Sequence, residues 1–408
     1  EICNYRNRNL GDPWTTGGIG SGILAWDSTP INNVTVRDNY MHDLGWNAVL
    51  VGNEGQALHD NWLVQDNIAE DCAAYALELT NAQNSSVIQN EVTGGEDILG
   101  EDDDAMAGIM VFAQVQQDVS GVTNSNVLVQ DNIVTGPLMY AGIWLVAGDY
   151  TSSSMTAVLD DVTVSNNSVT AASAGVYLYA RAGTNAVLSN VDVTGNDLDG
   201  NDDGIYVRDR EGATHTSIDI LENQIVNSTG TSSGVHIHSG TSAANIAVNH
   251  NTISGNSTFG VNNEGTGTLD ASANWWGSTD PTTVSGMVSG DVDFTPLVES
   301  GTDTDTGTGG FQPDLSSLTV HALGQQTGTT DRIQEGVNTV TASTVNVAAG
   351  TYSGDVSITQ PVSLLGADAA TTVMDGRLEV STADSVVVKR LTVQNGGVWF
   401  DSADDAVV

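Results

Sequence analysis

The chain has 408 residues, with 10 Lys+Arg against 51 Asp+Glu and a formal net charge of −41. A surface this acidic repels nucleic acid and anionic membranes and so argues against both as partners. It suits a salty or cation-rich medium, where counter-ions screen the self-repulsion. No apolar run approaches the roughly 20 residues of a membrane span, and no signal peptide follows Glu1, so the chain reads as an internal piece or a processed product. The 39% hydrophobic content, rich in Val, together with abundant Thr and 45 glycines, points to β structure rather than disorder. Cys3 and Cys72 are the only cysteines; they read as buried or incidental thiols, with a Cys3–Cys72 bond as the alternative.

Repetition organises the chain. Asn33–Met41 reads NVTVRDNYM, Asn61–Ala69 NWLVQDNIA, Asn126–Val134 NVLVQDNIV, Asp161–Val169 DVTVSNNSV and Asn190–Leu198 NVDVTGNDL. The seventh residue is always asparagine: Asn39, Asn67, Asn132, Asn167 and Asn196, with Asn90, Asn223, Asn251 and Asn274 in weaker copies. Successive spacings are 28, 23, 42, 35, 29, 27, 28 and 23 residues, as expected of one coil with loop insertions of different length. Alternation before each asparagine, as in Val34-Thr35-Val36, marks a strand with one buried face. A second short strand opened by glycine follows in many coils, as at Gly142-Ile-Trp-Leu-Val and Gly175-Val-Tyr-Leu-Tyr. No amphipathic helical pattern separates them, so successive coils must stack strand on strand, about 4.8 Å apart. Equivalent asparagines then lie above one another, each amide bonding the turn backbone and the next amide.

On these motifs the sequence resembles the right-handed parallel β-helix repeat proteins of the pectin-lyase-like superfamily, over about residues 20–277 and 315–408. The resemblance implies an all-β solenoid and says little about function. Ala273–Leu297, with its NWWG, resembles the closing segment of many secreted β-helix domains. Trp275 and Trp276 are expected to cover the last coil, with a carbohydrate-binding pair as the sharper alternative. The expected organisation is a helix over 1–298, an Asp/Thr/Gly linker over 299–312, and the cap and first coils of a second helix over 313–408. A short helical cap is expected near Ile333–Val337. Reading Val408 into Glu1 gives AVVEICNYR, which aligns with NVTVRDNYM and puts Asn4 in the ladder. The expectation drawn from this is that copies stack in tandem or end to end.

Several residue sets could carry chemistry. Aligning the second strands puts Met110, Trp144, Tyr177, Tyr206 and His236 in one outward column, with Tyr179, Arg208 and His238 beside it. An exposed aromatic stripe of this kind suits sugar rings, lateral packing against another chain, or nothing beyond stability. The resemblance implies that a lyase would need a basic residue, for which Arg181, Arg208 and Arg210 are placed. A glycosidase would need paired aspartates, for which Asp202 and Asp203 stand near His236 and His238. The departures are clear: the histidines sit in VHIHS rather than Gly-His-Gly, and no Asn-Thr-Asp precedes them. Glu101, Asp102, Asp103 and Asp104 read first as a solvated acidic loop, with calcium binding as the alternative; no cofactor is required. Asn33, Asn84, Asn227 and Asn256 are candidate glycosylation sites, and Asn166 is a fifth sequon beside the ladder. The expected role is an extracellular structural unit of a filament, sheath or surface layer. A polysaccharide-binding or polysaccharide-cleaving protein is the alternative.

Overall fold

The computed structural model describes residues 2–3, 20–25, 29–52, 57–94, 106–115, 121–148, 156–181, 185–210, 212–341, 343–403 and 405–407. Two stacks of parallel coils follow one another along the chain. The first is bounded by three long sheets of 9, 12 and 10 strands, each strand pairing with its equivalents one coil before and one coil after.

Each coil holds three strands rather than the two its sequence suggests. In one coil these are Val122–Gln130, Ile133–Leu138 and Ala141–Gly148. The strand after the asparagine is easy to miss because it is short and contributes little to the core. Asp197–Asp199, for example, buries Leu198 alone. In every coil that buried residue stands two places after the asparagine, as Met41, Ala69, Val134, Leu198, Ile225 and finally Trp276. One contiguous core runs from Ala25 to Leu297 inside the three sheets.

Corners are made by residues with positive φ. The residue before each ladder asparagine is left-handed: Asp38, Asp66, Gln89, Asp131, Asn166, Gly195, Glu222, His250 and Ala273. Asn, Asp and Gly dominate because they reach this region at least cost. Glycine opens the third strand for a different reason. A Cβ on Gly142 would lie 2.1 Å from Val169 Cγ1, so the backbone approaches the neighbouring sheet too closely for any side chain.

The asparagines at the corner form an unbroken chain of amides. Nδ2 of Asn39, Asn67, Asn90, Asn132, Asn167, Asn196, Asn223 and Asn251 each donates to Oδ1 of the next, at 2.9–3.1 Å. The same Oδ1 atoms accept the backbone N–H of the asparagine before them, as Asn196 Oδ1 does from Asn167. Each buried Nδ2 also donates to a carbonyl of the preceding coil, as Asn167 does to Val129. Four hydrogen bonds thus saturate each interior amide in a place where no strand could satisfy it.

The N-terminal strand corrects the seam alignment. Ile2 pairs with Met41 and Cys3 with His42. The position level with Asn39 therefore falls ahead of residue 1, and Asn4, itself outside the described residues, comes four places after it. The resemblance between ICNYR and VRDNYM is one of composition, not of register.

At the other end Trp276, 1% exposed, closes the core together with Val284 of α1 (Pro281–Ser285), a single turn capped by Asp280. Trp275 turns the opposite way and packs on the second core. Leu297 and Val298 pair antiparallel with Thr319 and Leu318, and this reversal starts the second stack. There α2 (Arg332–Thr339) covers the first coil with Ile333 and Val337. The segment 299–312 is not a free tether. Much of it is exposed, but Phe311 is buried and its N–H bonds Glu222 O, pinning the segment along the asparagine corner of the first helix.

Candidate functional site

The third sheet carries two layers of side chains. Its inward residues belong to the core, whereas its outward residues form a separate cluster including Tyr75, Met110, Phe112, Trp144, Val146, Tyr177 and Tyr179. Register sets Met110, Trp144, Tyr177, Tyr206 and His236 level on consecutive coils. Phe112, Val146, Tyr179 and Arg208 form the next column. Rings one coil apart pack on one another: Trp144 is stacked on Tyr177 at 5.6 Å and 5°, while Tyr177–Tyr206 and Tyr206–His236 are tilted pairs, both at 4.9 Å.

Most of this column is not exposed, which corrects the expected open stripe. Trp144, Tyr177 and Tyr179 are only 6–7% accessible, because rings at one-coil spacing cover each other and Tyr140 leans on Trp144 at 5.1 Å. The accessible part is the C-terminal end, where Tyr206, Arg208, His236 and His238 are half-buried. The Arg208 guanidinium lies 5.6 Å from the Tyr179 ring centre. Burial pushes the Tyr177 and Tyr206 phenols upward, so both stay protonated donors.

His236 sits between two carboxylates. Its Nδ1 is 3.3 Å from Asp203 Oδ2 and its Nε2 is 3.6 Å from Glu264 Oε2. Burial disfavours its charge, but the contacts to Asp203 and Glu264 outweigh this and hold its pKa above the ordinary value. Asp203 Oδ1 accepts from Ser233 N. Both oxygens are therefore engaged, while Asp202 is drawn to the Thr229 hydroxyl instead. The two aspartates do not face each other across a cleft as a glycosidase pair would. Among the described residues of this face, Trp144 Nε1 and Arg208 Nε are buried without a hydrogen-bond partner.

Residues 16–196 and 122–275 match the sequence profile of the family described as "Right handed beta helix region". The chain belongs to the right-handed β-helix family. No curated protein matches it. Among solved structures it is similar to PL6 family alginate lyase AlyGC and an arginine variant of that enzyme, both at 10% identity. The alignments cover 92–93% of this chain and 74% of the other, with TM-scores of 0.15 and 0.13.

The right-handed β-helix also holds polar groups that its sequence did not single out. Glu78 occupies the same outward column, level with Met110, and is buried. Burial pushes its carboxyl up to about 7, against hydrogen bonds from Thr80 and Asn47 at 2.7 Å. An acid within the apolar strand YALELT was the available signal. His215 Nδ1 lies 2.8 Å from Asp209 Oδ2, an internal pair 1% and 7% exposed. Burial also pushes the Cys72 thiol up to about 12, leaving a free thiol unreactive at neutral pH; the Cys3 side chain lies outside the described residues.

Glu101, Asp102, Asp103 and Asp104 also lie outside the described residues. Among those described, no three His, Cys, Asp or Glu side chains come together to hold a metal ion. Of the candidate sequons, Asn33, Asn84 and Asn227 are exposed. Asn256 is half-buried instead: its Nδ2 donates to Ile225 O and its Oδ1 accepts from Ser228 N, so the amide is tied into a corner and would have to give up these bonds to carry a glycan.

Proposed function

We propose that this right-handed β-helix is a polysaccharide-recognising protein, with the glycan on the Tyr206–Arg208–His236–His238 end of the outer face. One observation carries the reading: a half-buried Tyr206 ring, 4.9 Å from His236 and 6.0 Å from His238, continues an otherwise closed aromatic wall beside Arg208. An aromatic face takes the apolar side of a sugar ring, and the flanking donors take its hydroxyl or carboxylate oxygens. The wall behind, rigid because its rings are stacked and buried, presents these groups without first having to order them. Arg208 is also one of only 10 basic side chains against 51 acids, which makes its placement here more telling. Such a protein would act outside the cell.

The contacts to Asp203 and Glu264 favour the protonated imidazole, so the role open to His236 in any cleavage is proton donor rather than base. Affinity electrophoresis against neutral and uronate polysaccharides, with a parallel assay for new chain ends, tests the reading. Retardation by at least one glycan is expected, and cleavage, if seen, should vanish in His236→Gln. Migration unaffected by every glycan would contradict it.

Assembly of copies is a second reading, favoured by one feature. The strand Thr392–Asp401 exposes Val398, Trp399 and Phe400 at 36%, 60% and 51%. Sedimentation of the wild type and Trp399→Ser decides it: concentration-dependent association lost in the variant supports assembly, and a monomer at all concentrations rejects it.

A further inference from the structure

The junction between the two helices is crossed by a surface strap, residues 322–328, held from both sides. From the first helix, Asp293 Oδ2 accepts from Thr327 N at 2.6 Å and Thr327 Oγ1 at 2.9 Å, and Val292 O accepts from Gln325 N. From the second, the Arg332 guanidinium donates to the carbonyls of His321, Leu323, Gly324 and Gln325. Asp270 and Asp293 of the first helix both act electrostatically on Glu335 of α2. Gln326 Nε2 donates to Glu335 Oε2 at 2.8 Å, yet Gln326 Oε1 is buried with no partner.

We infer that Glu335 is the proton-bearing member of an acid–amide pair that clasps the strap: Gln326 N–H donates to one oxygen of Glu335, and the Glu335 O–H donates back to Gln326 Oε1. An ionised Glu335 has only acceptors and would leave that oxygen orphaned. The surroundings favour the neutral form. Burial raises the Glu335 carboxyl to about 7, and Asp293 and Asp270 add to it, against hydrogen bonds from Gln326 and Ser272. Asp293 is itself raised by burial, as is Asp331 at the α2 N-cap. His321 is held neutral, down to about 4, by burial and by Arg332. The Arg332 guanidinium is directed to the four carbonyls. The strands packed on α2, Ser317–Val320, Thr344–Val347 and Val356–Ile358, bring no charge.

The sign follows from linkage. An acid whose pKa is raised to about 7 when the clasp is shut, and near 4.5 when it is open, closes the joint best at low pH. The stabilisation declines as pH rises above 4.5 and is fully lost above about 7. Opening should therefore become about tenfold more frequent between pH 6 and pH 8. Hydrogen exchange at the Thr327 amide, corrected for the intrinsic pH dependence, reads this in the whole chain. The expected result is a tenfold loss of protection in the wild type and a flat profile in Glu335→Gln. Infrared difference spectra at pH 6 should show a protonated-carboxyl band that the variant lacks. Equal pH dependence in both proteins, or no such band, overturns the assignment.

Discussion

The asparagine corner and the outer aromatic face are both columns of like side chains repeated once per coil, but they differ in how completely they are satisfied. Every interior amide of the ladder makes at least four hydrogen bonds and is at most 2% exposed. The outer face is built on the same one-coil register, yet it contains a buried acid, Glu78, and leaves Trp144 Nε1 and Arg208 Nε without hydrogen-bond partners. A saturated column has no capacity left for a ligand and can only stabilise. A column with unused donors is less stable than it could be, and such compromise is expected where a surface is shaped for recognition.

Substitutions can break or sharpen that contrast. The largest effect is expected inside the ladder. Asn167→Ala removes two donors and two acceptors from a dry corner and should cost about 3–5 kcal/mol, read as a drop in the denaturant midpoint without change in glycan binding. Glu78→Gln should do the reverse at alkaline pH. The folded protein holds this acid up to about 7, so its ionisation destabilises increasingly as pH rises from 4.5 to 7. Thermal unfolding at pH 8 should show the variant about 2–3 kcal/mol more stable, with the advantage gone at pH 4. Asn39→Ala should cost only about 1 kcal/mol, because that asparagine is half-buried and no described amide donates to it from above. A cost equal to that at Asn167 would mean that the saturated network is not what holds the corner. The smallest effect is on affinity: with its pKa raised, His236 keeps its charge through its ordinary range and loses it as pH rises through the elevated value. Glycan binding should weaken about threefold across that interval, or ~0.7 kcal/mol, and His236→Gln should flatten the curve.

The repeat asparagines made the fold legible, because a motif that must sit at one corner reports the coil length directly. The left-handed residues were equally visible: Asp38, Asp66 and Asp131 precede ladder positions, and Asn33, Asn61, Asn126, Asp161 and Asn190 open the repeats because they too have positive φ. The middle strand escaped because a three-residue strand with one buried side chain has no period to detect. Register on the third sheet could be read from the glycines, since their inner-corner position admits no Cβ. Exposure could not, because alternation says which side of a sheet a ring leaves from, not whether neighbouring rings close over it. The Asp209–His215 pair and the Gln326–Glu335 contact were beyond reach for another reason. The partners are only six and nine residues apart, but neither pair lies within one regular element whose period could bring it together, so no pattern in one sequence marks it.

The most direct test of the central claim is a glycan-array titration of the wild type beside the Tyr206→Ala, His236→Gln double variant, with thermal unfolding of both. The account predicts that the wild type binds at least one class of oligosaccharide. The double variant should lose about tenfold or more in affinity, equivalent to about 1.4 kcal/mol, with its unfolding temperature little changed. Equal binding by both proteins, or no binding by the wild type, would contradict it.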